Sequence, residues 1–95
     1  MSERKFEWDA EKADANFRKH RVSFDEAKTA FDDPNARARY DAGHSEVEDR
    51  WQLIGLSGRL RLLIVIYAKG NEATFRLISA RRATRAEEGG YAVED

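Results

Sequence analysis

The sequence predicts an α+β protein: two N-terminal helices packed on one face of an antiparallel β-sheet, closed by a short C-terminal helix. Three observations carry this. The first half of the chain holds two helix-start signals, each followed by apolar residues at helical spacing. From about Arg50 onward the period changes to two. Near the C-terminus a third start signal precedes a Gly-Gly pair.

Each element follows in order. Phe6 to Trp8 reads as a short first strand. Asp9 is placed as an N-cap, and Ala10, Ala13 and Phe17 share one face of a helix that should end at Lys19 or His20. Ser23-Phe24-Asp25-Glu26 is a capping box, in which the Ser23 hydroxyl accepts from the Glu26 amide and the Glu26 carboxylate reaches back. Phe24, Ala27 and Phe31 form the stripe of this second helix, and Asp32-Asp33-Pro34 ends it. Trp51 to Leu56 is a strand, Ser57-Gly58 a tight turn and Leu60 to Tyr67 the next strand. Leu60, Leu62, Ile64 and Ile66 line one face and Leu63, Val65 and Tyr67 the other, so this strand should be central and covered on both sides. The last helix, a partner chain or bound substrate would supply the second cover. Lys69 to Glu72 is a turn and Ala73 to Ala80 the third strand, with Phe75, Leu77 and Ser79 facing one way and Thr74, Arg76 and Ile78 the other. Thr84-Arg85-Ala86-Glu87 is another capping box, opening a helix that Gly89-Gly90 should break. Trp8, Phe17, Phe24, Phe31 and Phe75 are assigned to the core, while Tyr40 and Trp51 stay open.

At 95 residues the chain is expected to form one domain, residues 1–95, around one core. The absence of cysteine excludes a disulfide scaffold, a thiolate zinc site and thiol catalysis. The charged N-terminus lacks the apolar core of a secretory signal. The longest apolar run, residues 62 to 68, is far shorter than the roughly 18 residues a membrane span needs. A cytoplasmic protein with no membrane association is therefore expected.

A net charge of −1 argues against a simple polybasic nucleic-acid binder. By segment the picture changes. Residues 1–49 carry nine Lys and Arg against thirteen Asp and Glu, and residues 87–95 carry four acids and no base. Residues 50–86 carry eight cations, seven of them arginine, against Glu72 alone. Arginine suits planar, bidentate contacts to phosphate, so the sheet half is a candidate polyanion surface. The alternative is that these arginines pair with acids of the helical half.

Arg76 is the sharpest case, because a guanidinium placed mid-strand among apolar residues needs an anionic partner. Phosphate is one such partner, and Glu46 or Glu48 is another. Arg81 and Arg82 follow at the strand end, where side chains can converge on a ligand. If residues 44–50 are extended, His44, Glu46, Glu48 and Arg50 share one side, with Val47 and Trp51 opposite. Imidazole, carboxylate and guanidinium on one face are the ingredients of acid–base chemistry on a phosphodiester. A metal site built from these groups would need His20 as second histidine, at loose spacing; none is expected. His20 itself reads first as a helix C-terminal cation.

Three motifs in order, FEWDAEKADANFRKHRVSFDEAKTAFDDP, HSEVEDRWQLIGLS and RLISARRATRAEE, together resemble the BrnT family of ribonuclease toxins, over roughly residues 6 to 88. The resemblance implies a RelE-like fold and the toxin half of a type II toxin–antitoxin pair. It implies metal-independent endoribonuclease activity that inhibits translation, without a cofactor. It also implies a BrnA-like ribbon-helix-helix antitoxin, a heterotetramer with two copies of each chain, and operator DNA bound only through the antitoxin. The family's polar positions fall on Lys19, His20, His44, Glu46, Glu48, Arg50, Arg76, Ser79, Arg81 and Arg85. Arg76 and Arg81 would hold the scissile phosphate of an RNA substrate, and Glu48 or Glu46 would be the general base. His44, His20 or Tyr67 would protonate the leaving group. Lys19, Arg61, Ser79, Arg82 and Arg85 would contact RNA. The other reading keeps the fold without catalysis, as a module acting only through its antitoxin.

Two positions depart from the family pattern. Arg21 stands where members commonly carry a C-capping glycine, so a left-handed Arg21 would cost about 1 kcal/mol. The C-terminal helix, usually basic, here reads Glu87-Glu88-Gly89-Gly90.

Overall fold

The computed structural model describes residues 4–44, 48–70 and 73–91. Within them the strands are β1 (Lys5–Glu7), β2 (Arg37–Tyr40), β3 (Trp51–Leu56), β4 (Leu62–Lys69) and β5 (Thr74–Arg82). The α-helices are α1 (Ala10–His20), α2 (Phe24–Thr29) and α3 (Arg85–Tyr91). The expected three-stranded meander is the centre of a larger sheet, ordered β1-β5-β4-β3-β2. β1 lies parallel to β5 at one edge, and β2, a strand without apolar alternation, pairs antiparallel with β3 at the other.

The caps form largely as their residues dictate. Asp9 accepts from the Glu11 amide at 2.8 Å, and the Ser23 hydroxyl accepts from the Glu26 amide at 3.0 Å. The second half of the Ser23 box is not made. The Glu26 carboxylate turns away to Arg61 and to the Ser57 hydroxyl, 2.7 Å distant, because a buried carboxylate needs a cation more than α2 needs a second cap. The Thr84 box closes in both directions: Thr84 N donates to Glu87 at 2.8 Å and Glu87 N to the Thr84 hydroxyl at 3.2 Å. α3 continues through Gly89-Gly90 instead of breaking there. Its far end is held by the Tyr91 hydroxyl, which donates to Asp33 at 2.6 Å.

α1 and α2 cover one face of the sheet. Val22, Phe24, Ala27, Ala30 and Phe31 pack there on Leu53, Leu63, Val65, Tyr67, Leu77 and Ala80. The rings of Phe6, Phe31, Tyr67 and Phe75 meet at centroid distances from 5.0 to 5.9 Å, adding edge-to-face contacts to this burial. β3 runs so close to the 3₁₀ turn Ala30–Asp32 that a Cβ on Gly55 would stand 2.7 Å from the Ala30 carbonyl oxygen. Only glycine fits that approach.

Three expectations fail in packing. Phe17 lies 42% exposed beneath the Arg21 guanidinium, because α1 docks instead through buried Asn16. The Asn16 amide donates to the carbonyls of Val22 and Ala80 and accepts from the Ala80 amide. Leu60 is 79% exposed with φ 64° in the β3–β4 turn, so β4 starts only at Leu62. His44 is not extended: Ala42–His44 is a 3₁₀ turn. Arg21 does adopt the left-handed conformation, φ 60° and ψ 30°.

Candidate functional site

The sheet face away from α1 and α2 carries the charge. Its geometry depends on an irregularity. β4 pairs Ile64 with Arg81, Ile66 with Ser79 and Ala68 with Arg76, while Tyr67 pairs with Leu77. Ile78 is therefore an extra residue in β5, a bulge that resets the alternation. Ile64, Ile66 and Ala68 share one side of β4, so Arg81, Ser79 and Arg76 share that side of β5. The expected placement of Ser79 with Phe75 and Leu77 is corrected accordingly.

The same face continues across the sheet. Ile54 pairs with Ile64 and with Arg37, and Gln52 pairs with Ile66 and with Arg39. The result is an apolar strip of Ile54, Ile64 and Ile66 between two arginine pairs, Arg37 with Arg39 and Arg76 with Arg81. α3 crosses part of this face, placing Ala86 and Glu87 near Ile54 and Ile64. Ile64 is buried there, so the expected second cover of β4 comes in part from the last helix.

Arg76 and Arg81 are both held by carboxylates. Arg76 donates to Glu48, which also lies 3.8 Å from Arg50. Arg81 binds Glu87 through both terminal nitrogens, at 2.8 and 2.9 Å. The Arg76 hydrogen bond holds the Glu48 carboxyl below its ordinary range, and the Arg81 bonds pull Glu87 down to about 2. Both acids are ionised at neutral pH. The side chains remain partly open, Arg76 36% and Arg81 38% exposed, so an incoming anion can compete for them.

The other expected site residues lie elsewhere. Tyr67 is in the core, on the helix-covered face, where burial pushes its phenol up. Lys19 and His20 end α1 in the helical layer. Arg61 sits in the β3–β4 turn, its guanidinium bound to Glu26 and to the Arg21 carbonyl. Arg82 and Arg85 are exposed at the end of β5 and the start of α3. His44 lies in the turn before the segment that leads to Glu48, and Glu46 falls outside the described residues. Arg37, Arg39 and Gln52 are residues of this face that the sequence reading did not single out. The signal for the first two was the alternation Arg37-Ala38-Arg39-Tyr40, which lacks the apolar partners that mark a strand. Trp51 and Tyr40 pack edge to face at 5.4 Å, with Lys69 Nζ 4.2 Å above the Trp51 ring.

Fold and face together define an α+β domain with an arginine-lined sheet surface opposite its helical layer. Residues 8–87 match the family model described as the ribonuclease toxin, BrnT, of type II toxin–antitoxin systems, and the chain belongs to that family. Among solved structures it is similar to the 1.1 Å crystal structure of the Brucella abortus ribonuclease toxin BrnT, with a TM-score of 0.67 and 24% identity. That similarity covers 87% of this chain and 100% of the other, and at this identity it bears on the fold. No curated protein sequence matches. Gly89 and Gly90 lie beyond the matched family region. Among the described residues no helix is long and apolar enough to cross a membrane.

Proposed function

We propose that the chain is a metal-independent endoribonuclease that inhibits translation and is neutralised by a small ribbon-helix-helix antitoxin of the BrnA type. Two copies of each chain form the complex, and the antitoxin carries it to operator DNA to repress its own operon. The observation that carries the ribonuclease reading is the shared face of Arg76, Ser79 and Arg81, with ionised Glu48 against Arg76.

The scissile phosphate lies between Arg76 and Arg81, with the Ser79 hydroxyl donating to one of its oxygens. Glu48 removes the proton from the 2′-hydroxyl, whose oxygen attacks phosphorus. The two guanidiniums neutralise the charge that builds on the equatorial oxygens. As the P–O5′ bond breaks, the leaving oxygen takes a proton, and the products are a 2′,3′-cyclic phosphate and a 5′-hydroxyl. Of the candidate donors, His44 is favoured by its place in the segment that leads to Glu48, whereas Tyr67 and His20 belong to the helical side. Arg50, beside Glu48, keeps that carboxylate ionised and oriented.

Induction of the chain alone is expected to arrest growth and translation, and co-expression of the neighbouring antitoxin frame to restore them. Arg76→Ala or Arg81→Ala should relieve arrest while leaving the fold intact by circular dichroism. Purified protein should cut RNA in excess chelator. Normal growth and unchanged RNA ends with soluble protein present would overturn the reading. They would favour a non-catalytic module acting through its antitoxin, a role consistent with both arginines being held by the chain's own carboxylates.

A further inference from the structure

Beside the Arg76–Arg81 row the sheet face hollows under α3 into a cavity of about 390 Å³, within the size range of small-ligand pockets. We infer that this cavity is the base-recognition subsite for the RNA substrate and that it selects guanine, an inference that rests on the ribonuclease reading above.

Ile54, Ile64 and Ala86 provide an apolar surface against which the face of a nucleobase lies. Arg39 and Gln52 provide donors. Arg39 Nε donates to Gln52 Oε1 at 3.2 Å, which engages the amide oxygen and leaves the amide NH₂ to meet a ligand. Glu87, which also lines the cavity, provides an acceptor. Its Oε1 takes bonds from Arg81 and Thr84, and its Oε2 takes one from Arg81, leaving a lone pair in reach of the cavity.

An occupant must therefore bring acceptors on one edge and donors on another. Guanine does so: O6 and N7 accept, while N1–H and the 2-amino group donate. Adenine would set its 6-amino donor against the donors of Arg39 and Gln52. The pyrimidines lack guanine's paired N–H donors. The cavity also adjoins the reacting row, since Ile64 pairs directly with Arg81 and Glu87 is the group bound to Arg81. A base seated here leaves its own phosphate at Arg81.

The test titrates the full chain with the 3′-monophosphates of guanosine, adenosine, cytidine and uridine, which bind without any cleavage step. Guanosine 3′-monophosphate should bind at least about tenfold tighter than the others, the discrimination one bidentate base contact supplies. Gln52→Leu and Arg39→Ala should each erase the difference. Gln52→Glu, which keeps size and polarity, serves the same purpose if Gln52→Leu does not fold. Equal affinities, or a guanine preference that survives all three substitutions, would overturn the subsite even in a chain that cuts RNA. Selective guanine binding without RNA cleavage would overturn the ribonuclease reading and leave a nucleotide-binding site in place.

Discussion

The Glu87 carboxylate grips Arg81 fork to fork, Oε1 on Nη1 at 2.8 Å and Oε2 on Nη2 at 2.9 Å. This is the geometry in which arginine takes a phosphate, so Glu87 stands in a phosphate's place. Glu87→Gln should raise affinity for a short uncleavable oligouridylate, which offers no guanine to Glu87, several-fold at low salt, measured by fluorescence anisotropy. The gain should shrink as salt rises, because phosphate contacts displace counterions. Unchanged affinity would remove Arg81 from the RNA contacts.

The same pair makes stability depend on acid. Glu87 is held near 2 in the folded chain, below its ordinary value of 4.5. A carboxylate so depressed contributes stability that is fully present above the unfolded pKa and is lost as pH falls from 4.5 toward 2. Glu26 and Glu48 are shifted in the same direction. Thermal midpoints should be flat near neutrality and fall below about pH 4.5, and Glu87→Gln should flatten part of that fall.

Asn16 ties α1 to β5 through both backbone groups of Ala80, at 2.8 and 3.0 Å. Asn16→Ala leaves that buried N–H and C=O without their partner and should cost about 2–4 kcal/mol. Urea denaturation measures it. A loss below 1 kcal/mol (about what an exposed substitution gives) would mean that α1 is held by other contacts.

Arg61 is bound to Glu26, whose side chain is only 4% exposed. Arg61→Ala strands that carboxylate and should destabilise the chain by about 3 kcal/mol. Any loss of RNA binding in this variant should track its unfolded fraction. A fully stable Arg61→Ala protein that has lost RNA affinity would instead make Arg61 a direct contact.

Arg21 caps α1 in a left-handed conformation, with its amide donating to the Phe17 carbonyl at 2.8 Å. Arg21→Gly removes the Cβ strain and should stabilise the chain by about 0.5–1 kcal/mol. The Arg21 carbonyl remains available to Arg61, so the gain should appear in the denaturation midpoint without loss of the Glu26 network.

What the sequence determined by itself lies within a few residues of its signals. Asp9, Ser23 and Thr84 each cap the helix they precede, since a cap needs only its own side chain and an amide two or three residues on. Alternation located β3, β4 and most of β5 because one face of each packs against the helical layer. Strand β2 escaped notice because an exposed edge strand is held by its ladder to β3 and needs no apolar side of its own. Tertiary structure decided the rest. Phe17 has the right helical spacing, yet the docking of Asn16 onto Ala80 sets which side of α1 faces inward. Glu26 could cap α2, yet Arg61, thirty-five positions along the chain, takes it. Arg76 and Arg81 are an odd number of residues apart and should face opposite ways. The bulge at Ile78 turns them to one side, and a bulge follows from how β5 registers against β4 over its whole length, which no local pattern encodes.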